Sequence, residues 1–292
     1  MPVSLMIKIP LRMLLLPLPT PVFRQGDNIV SVILSGAKDR RAAGDAIQPN
    51  DILVLSSKAL ATVEGAMIDL RIMTPSSRAQ DIAMATGRSP HFCEAMLREL
   101  ERLNGKIIGM VPGAALTEVR PSGMITGTIL IANAGLDESN VAEGLAIGWP
   151  IDPVRSVRKL RMELGKRMTG CEFRVSGYED PATRNSQPAT AIILSDSCCT
   201  PRRSGVTAIA LVTSGIDPLQ SQKEMIDLFG KPLKITVEAV ADQLATAANF
   251  LMGNAGQSVP AVIIREHGLE LSDWEGWVPG IEPEKDMFAS VV

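Results

Sequence analysis

The chain has 292 residues, 46% of them hydrophobic and 21% charged, with a formal net charge of −3. That is enough apolar material for one large domain or two ordinary ones, and the slightly acidic balance argues against a general nucleic-acid binder. Aromatics make up 3%, with a single tyrosine, Tyr178, so base-stacking platforms are not expected, and aliphatic side chains with 14 methionines must fill the core.

The first apolar run is Leu14, Leu15 and Leu16, preceded by Arg12 and punctuated by Pro10, Pro17, Pro19 and Pro21. It is too short and too broken by proline to span a membrane, and no small-residue cleavage site follows it. It reads as an edge strand and loop of a cytoplasmic protein that needs no membrane. Residues 21–27 form a polar turn region, and 29–34 open a short helix or strand. After a turn at Pro49, Asn50 and Asp51, the continuous apolar run 52–55 predicts a buried strand ending in Ser56, Ser57 and Lys58. Lys58 can reach a nucleotide phosphate there; its commoner role would be that of a solvated lysine.

Pro75-Ser76-Ser77-Arg78-Ala79 starts a helix, with a hydroxyl cap ahead of the run 79–86. Ser89-Pro90 predicts a second, with Phe92, Met96, Leu97 and Leu100 at helical spacing. His91, at its start, reads as exposed or capping rather than catalytic. Strands are expected at 105–111 and 123–132. The apolar run 128–132 breaks at Asn133-Ala134-Gly135 and delivers Asp137, Ser139 and Asn140 to its end. A rigid element followed by a short polar loop presents acceptor oxygens to a cation or a phosphate. Taken alone, such an aspartate is more often a turn or cap residue.

Residues 149–153 form a turn before a basic amphipathic helix at 154–168, whose Arg155, Arg158, Lys159 and Arg161 read as a solvated face. A polar stretch at 170–188 reads as a loop-like insertion. The strand 191–194 repeats the earlier logic: Ser195, Asp196 and Ser197 follow at once, then Pro201, Arg202 and Arg203. Two strand-terminal aspartates near hydroxyl and guanidinium groups suggest a hard-cation and phosphate site. A strand at 206–213, a turn at 227–232 and extended chain at 233–237 come next. A long helix is expected from Thr236, its N-cap, with Val237, Val240, Leu244, Ala248 and Leu251 at helical spacing. Gly253 is its C-cap, and the Gly-rich turn around it lets backbone amides approach a phosphate. Residues 260–265 form a last strand.

Cys93, Cys171, Cys198 and Cys199 show no zinc-site spacing and read as free thiols of a reducing compartment. Without regular β-α-β alternation, the fold class is α+β, with mixed or antiparallel sheets and packed helices. One domain is expected over 1–268, with an insertion near 171–189 and a peripheral tail at 269–292.

Taken together, these blocks resemble the coenzyme F-420-0:L-glutamate ligase family, the gamma-glutamyl ligases. The resemblance runs from about Val22 to about Val262. It rests on Lys58 with Val63-Glu64-Gly65, on 75–79, on Asn133 to Asn140, and on Asp152-Pro153 with Ser156. It continues through Ser195-Asp196-Ser197 with Pro201 and Arg203-Ser204-Gly205, then 227–230, and Thr236 through Gly253. It implies that GTP phosphorylates a substrate carboxylate, that the amine of L-glutamate attacks the acyl phosphate, and that glutamate is added through a gamma linkage to F-420-0. By the same resemblance, Asp137 and Asp196 are catalytic and hold a divalent cation, with Ser197 and Asn254 on a second. Lys58, Asn140 and the loop of Met252, Gly253, Asn254, Ala255 and Gly256 would contact nucleotide. Mg2+ or Mn2+ suits such oxygen donors. An intertwined homodimer is implied too, with small-molecule substrates and no nucleic acid.

Where the family has Ser-Lys before its Glu-Gly, this chain has Ala61-Thr62, and Ser195 and Ser197 stand for threonines. Cys198-Cys199 replaces a glycine-containing pair, and Asn254 replaces a Gln or Glu. These departures leave the acidic pair intact and bear on nucleotide and acceptor choice. Two alternatives stay open at this point: the same chemistry on a pterin- or folate-type carboxylate, and a catalytically silent homologue that binds metal or nucleotide.

Overall fold

A computed structural model describes residues 12–39, 47–168 and 190–289. The insertion expected near 171–189, with Cys171, lies outside the described residues. In chain order the strands are β1 (Leu14–Leu18), β2 (Ile52–Ser56), β3 (Met67–Asp69), β4 (Lys106–Val111), β5 (Ala114–Val119), β6 (Ile129–Ala132) and β7 (Leu145–Ile147). They continue as β8 (Ala191–Cys199), β9 (Val206–Ser214), β10 (Gln220–Ser221), β11 (Val237–Glu238), β12 (Ala261–Arg265) and β13 (Glu275–Trp277). The α-helices are α1 (Ile29–Asp39), α2 (Ser57–Val63), α3 (Ser77–Thr86), α4 (Pro90–Arg102), α5 (Pro153–Met168) and α6 (Val240–Met252). The architecture is α+β, as the sequence predicts.

The main sheet runs β1-β12-β2-β8-β9-β13. Its neighbours are antiparallel except the central pair β2 and β8. The runs 52–55 of β2 and 191–194 of β8 are apolar and buried because both faces are covered there. The pleat sends Ile52, Val54, Ala191 and Ile193 to one core, against α6. Leu53, Leu55, Ile192 and Leu194 go to the other, with Phe92, Met96, Trp149 and Leu160. Because β2 and β8 are parallel and in register, Ser56 lies opposite Ser195. The residues that follow, Lys58 on α2 and Asp196 on β8, therefore emerge side by side. The carboxyl ends of parallel strands are where open sheets place ligands.

One irregularity sits beside this point. Leu194 pairs with Val212 but Ser195 pairs with Ala210, which leaves Leu211 as an extra residue in β9. From α6, Asp242 accepts the Ala210 amide at 2.8 Å and Thr246 donates to the Ala208 carbonyl at 2.9 Å. The helix thus serves the backbone where the ladder is interrupted.

Several sequence expectations are corrected. Between β4 and β6 the sheet contains β5, a strand with no strong alternation to announce it, and the strand expected from 123 begins only at Ile129. Thr236 does not cap a helix: Val237 and Glu238 pair with β10, and α6 begins at Val240 after Ala239, with no side-chain cap. A tertiary strand pairing overrides the helical spacing of Val237. Gly253 does end α6, at φ 66°, its amide reaching the Asn249 carbonyl at 2.9 Å. Arg161 is not on a solvated face. It is 2% exposed and donates to the Thr190 carbonyl at 2.8 Å, because it shares the buried stripe of Val157, Leu160 and Leu164. The chain beyond Gly268, read as peripheral, lies at the edge of the main sheet and packs into it through β13, with Trp277 buried. Among the described residues, no helix is long and apolar enough to cross a membrane.

Burial pushes the Asp242 carboxyl up, and the Ala210 amide only partly offsets this. An aspartate whose folded pKa is raised loses stability as pH climbs through that value. Asp242→Asn keeps an acceptor for Ala210 and removes the charge. Its thermal midpoint should equal or exceed wild type at neutral pH, with less decline from about pH 4 upward. Asp242→Ala, which orphans the amide, should cost about 1–3 kcal/mol in urea unfolding.

Candidate active site

Asp137 is delivered by a turn with unusual backbone. Asn133, Ala134 and Gly135 have φ of 54°, 55° and 75°, a left-handed run that costs non-glycine residues about 1–2 kcal/mol each. Side-chain hydrogen bonds hold it: the Ala115 amide donates to Asn133 Oδ1 at 2.9 Å, and the Ala134 amide donates to Thr117 Oγ1 at 3.0 Å. Beyond the turn, Asp137 exchanges both backbone hydrogen bonds with Ile147, at 2.9 and 2.8 Å. Two residues on, the Trp149 Nε1–H donates to Asp196 Oδ2 at 2.6 Å. The segment 147–149 therefore touches both aspartates.

Lys58 stands against Asp137 and lines the same cavity as Asp196. Its ammonium is in contact with Asp137 Oδ2 and donates to Ser139 Oγ at 2.8 Å, and its charge also acts on Asp196. Ser139 in turn donates to Asp137 through its amide and its hydroxyl, each at 2.8 Å. Burial works against the Asp137 charge, but the Lys58 and Ser139 hydrogen bonds outweigh it and hold the carboxyl below its ordinary range. Asp196 goes the other way. It reaches the cavity yet is enclosed by protein, and burial raises its pKa despite the Trp149 N–H, the Lys58 charge, the Ser197 amide and the Ser57 hydroxyl.

These groups border a cavity of about 400 Å³. Lys58, Asn140, Asp196, Ser197 and the loop of Met252, Gly253, Asn254, Ala255 and Gly256 all line it, while Asp137 stands behind Lys58. Pro21, Val22 and Phe23 with Val259 and Pro260 supply apolar wall. Asn140 reaches the Ala255 carbonyl across the mouth at 3.5 Å. Within the loop, Gln257 Oε1 accepts the Ala255 amide at 2.8 Å, and a Cβ at Gly253 would lie 2.4 Å from that side chain. Thr62 lines the same cavity one helical turn after Lys58. Lys58 is thus the cationic side chain of the wall among the described residues. Arg202 and Arg203 do not join it; they are exposed on the turn beyond β8.

Sequence reasoning missed Trp149, Ile147, Ser57 and the 20–23 segment. Only Trp149 carried a signal: a rare indole in a chain with three tryptophans needs a partner for its N–H when buried. Among the described residues no group of three or more His, Cys, Asp or Glu comes together. Two carboxylates with serine hydroxyls and the Asn254 amide are hard oxygen donors. They fit Mg2+ or Mn2+, which commonly take one or two carboxylates and leave the remaining positions to water and substrate phosphates. Asp196 accepts from the neutral Trp149 and Ser197 donors, which leave each of its oxygens acceptor capacity for a further partner.

Comparison with known proteins gives the class of protein that carries this cavity and its two aspartates. Residues 17–266 match the family described as F420-0:Gamma-glutamyl ligase. A coenzyme F420:L-glutamate ligase of Methanopyrus kandleri is 34% identical over 261 residues, covering 88% of this chain and 89% of the relative. Its namesake in Methanothermobacter thermautotrophicus is 35% identical over 245 residues, covering 84% and 85%. That of Methanocaldococcus jannaschii is 31% identical over 272 residues, covering 93% and 94%. The chain belongs to the F420-0:gamma-glutamyl ligase family, a family of ligases.

A Cβ at Gly135 would lie 2.7 Å from the Trp149 indole. Gly135→Ala should therefore lower the urea midpoint, through about 1–2 kcal/mol of backbone strain and about 1–3 kcal/mol of overpacking. The near-ultraviolet dichroism of tryptophan should change with it.

Proposed function

We propose that the protein ligates L-glutamate to coenzyme F-420-0 through a gamma linkage, driven by GTP, as a cytoplasmic enzyme of small molecules. The observation that carries this reading is that Lys58, paired with Asp137, lines the same cavity as Asp196. The family description supplies F420-0 and the gamma linkage, and the names of the relatives supply L-glutamate. In the proposed reaction, a carboxylate oxygen of the acceptor attacks the γ-phosphorus of GTP, and the bond to the bridging oxygen breaks to release GDP. The free amine of glutamate then attacks the acyl carbon, phosphate leaves with the C–O electrons, and the amine proton passes to solvent. Lys58 and the backbone amides of Asn254 and Gly256 hold phosphate oxygens, and Asn140 closes the loop over them. A divalent cation on Asp137 and Asp196, with Ser197 and Asn254 toward a second, supplies further neutralisation of phosphate charge.

We also propose that the protein acts as a homodimer. The arm around β10 and β11 exposes Ile226, Leu228, Phe229 and Ile235 by 63%, 99%, 87% and 85%. Apolar side chains gathered this way mark an interaction surface, and a second copy of the chain is the proposed cover.

Purified protein should turn GTP over to GDP steadily only with both glutamate and F-420-0, with a single-turnover burst at most when glutamate is left out, and should lose this in EDTA until Mn2+ or Mg2+ is restored. Turnover on a pterin-type carboxylate with none on F-420-0 rejects the acceptor. Asp137→Asn and Asp196→Asn should each slow turnover by about a thousandfold, roughly 4 kcal/mol, while remaining folded; wild-type rates in either would reject the cation assignment. In light scattering, the wild type should be a dimer and Leu228→Asp with Phe229→Asp a monomer.

A further inference from the structure

The two aspartates hold their charges differently. Asp137 has an ammonium against it, whereas the hydrogen bonds to Asp196 come from neutral groups: the Trp149 indole on Oδ2, the Ser197 amide on Oδ1 and the Ser57 hydroxyl. Neutral donors orient a carboxylate without cancelling its charge, and each oxygen keeps acceptor capacity for another partner. The indole is the most constrained of these donors. Trp149 is 2% exposed, Gly135 lies against its ring, and the Trp277 ring packs on it at a centroid distance of 5.9 Å and 49°.

Trp277 comes from β13, beyond residue 266, where the family match ends. That segment is stitched in on both sides. The Val278 amide donates to the carbonyl of Leu211, the extra residue of β9, at 2.9 Å. Gly280 exchanges hydrogen bonds with Thr126, its amide with the Thr126 carbonyl and its carbonyl with Thr126 Oγ1, both at 2.9 Å. A Cβ at Gly127 would lie 2.5 Å from Gly280, so the two backbones are in direct contact.

We propose that Trp149 is the positioning residue of Asp196, and that the C-terminal segment, through Trp277, sets the site's affinity for its divalent cation. The inference rests on the reading of Asp196 as a cation ligand. Groups that orient a ligand from behind typically change metal affinity by about 10- to 100-fold when removed. A tryptophan that merely fills the core would lower stability and leave affinity alone.

The test is Mn2+ binding by electron paramagnetic resonance on the full chain without nucleotide, with thermal unfolding in EDTA as the folding control. Trp149→Phe keeps most of the ring and deletes the N–H; it should weaken Mn2+ binding about tenfold or more while unfolding cooperatively. Trp277→Ala should weaken binding in the same direction, and Trp277→Phe should restore it to within about twofold of wild type. Should Trp149→Phe fail to fold, the Trp277 pair carries the prediction. Wild-type affinity in both Trp149→Phe and Trp277→Ala, with binding lost in Asp196→Asn, overturns the positioning role alone. A wild type that binds no Mn2+, or an Asp196→Asn that binds as wild type, overturns the cation reading and this inference with it.

Discussion

The site depends on a grip made by three consecutive residues, Ile147, Gly148 and Trp149. The first pairs its backbone with Asp137, and the third gives its indole N–H to Asp196. Consecutive Cα atoms are about 3.8 Å apart, so two residues of chain fix the separation of groups that are 59 positions apart in sequence. Everything nearby supports that short ruler. The left-handed turn at 133–135 brings Asp137 to it, the parallel pair β2 and β8 brings Lys58 and Asp196, and the extra residue in β9 lies opposite the step into Ser195. Held this way, Asp137 is paired with Lys58 and Ser139, and Asp196 with the neutral donors Trp149 and Ser197.

The electrostatics follow from this geometry. Asp137 is stabilised as an anion by Lys58 and Ser139, and Asp196 is penalised by burial. The two carboxyls are therefore pushed apart in acidity, a pattern common at functional sites. In phosphoryl transfer such sites are where preorganised charge has most effect, since positioning and neutralisation supply nearly all the catalysis. The loop 252–256 adds backbone amides at the rim, kept in shape by Gln257 folding under Gly253.

Much of this was legible in the sequence. The apolar runs at 52–55 and 191–194 announced the central strands because both of their faces are buried, and each ended in the polar residues that line the cavity. The helix starts expected at 75–79 and at Ser89-Pro90 form, and the structure assigns their caps to Ser76 and Ser89, which accept the Ala79 and Phe92 amides. Arg161 was misread because charge was weighed above position; its spacing from Val157 and Leu164 already put it in the buried stripe. Thr236 was misread because helical spacing carries no information about a distant strand partner, here β10. Trp149 could not be placed on Asp196 from sequence at all, since that contact spans 47 residues and depends on the turn at Gly135 and on Trp277. Local pattern gives elements; contacts between elements need the fold.

The central claim is that Asp137 and Asp196 together hold a divalent cation beside the nucleotide phosphates. The most direct measurement is anomalous X-ray diffraction at the manganese edge, from crystals grown with Mn2+ and a non-hydrolysable GTP analogue. The account predicts a peak about 2.0–2.3 Å from an oxygen of each carboxylate, next to the analogue's phosphates. A bound analogue with no anomalous peak within coordination distance of either aspartate would contradict it.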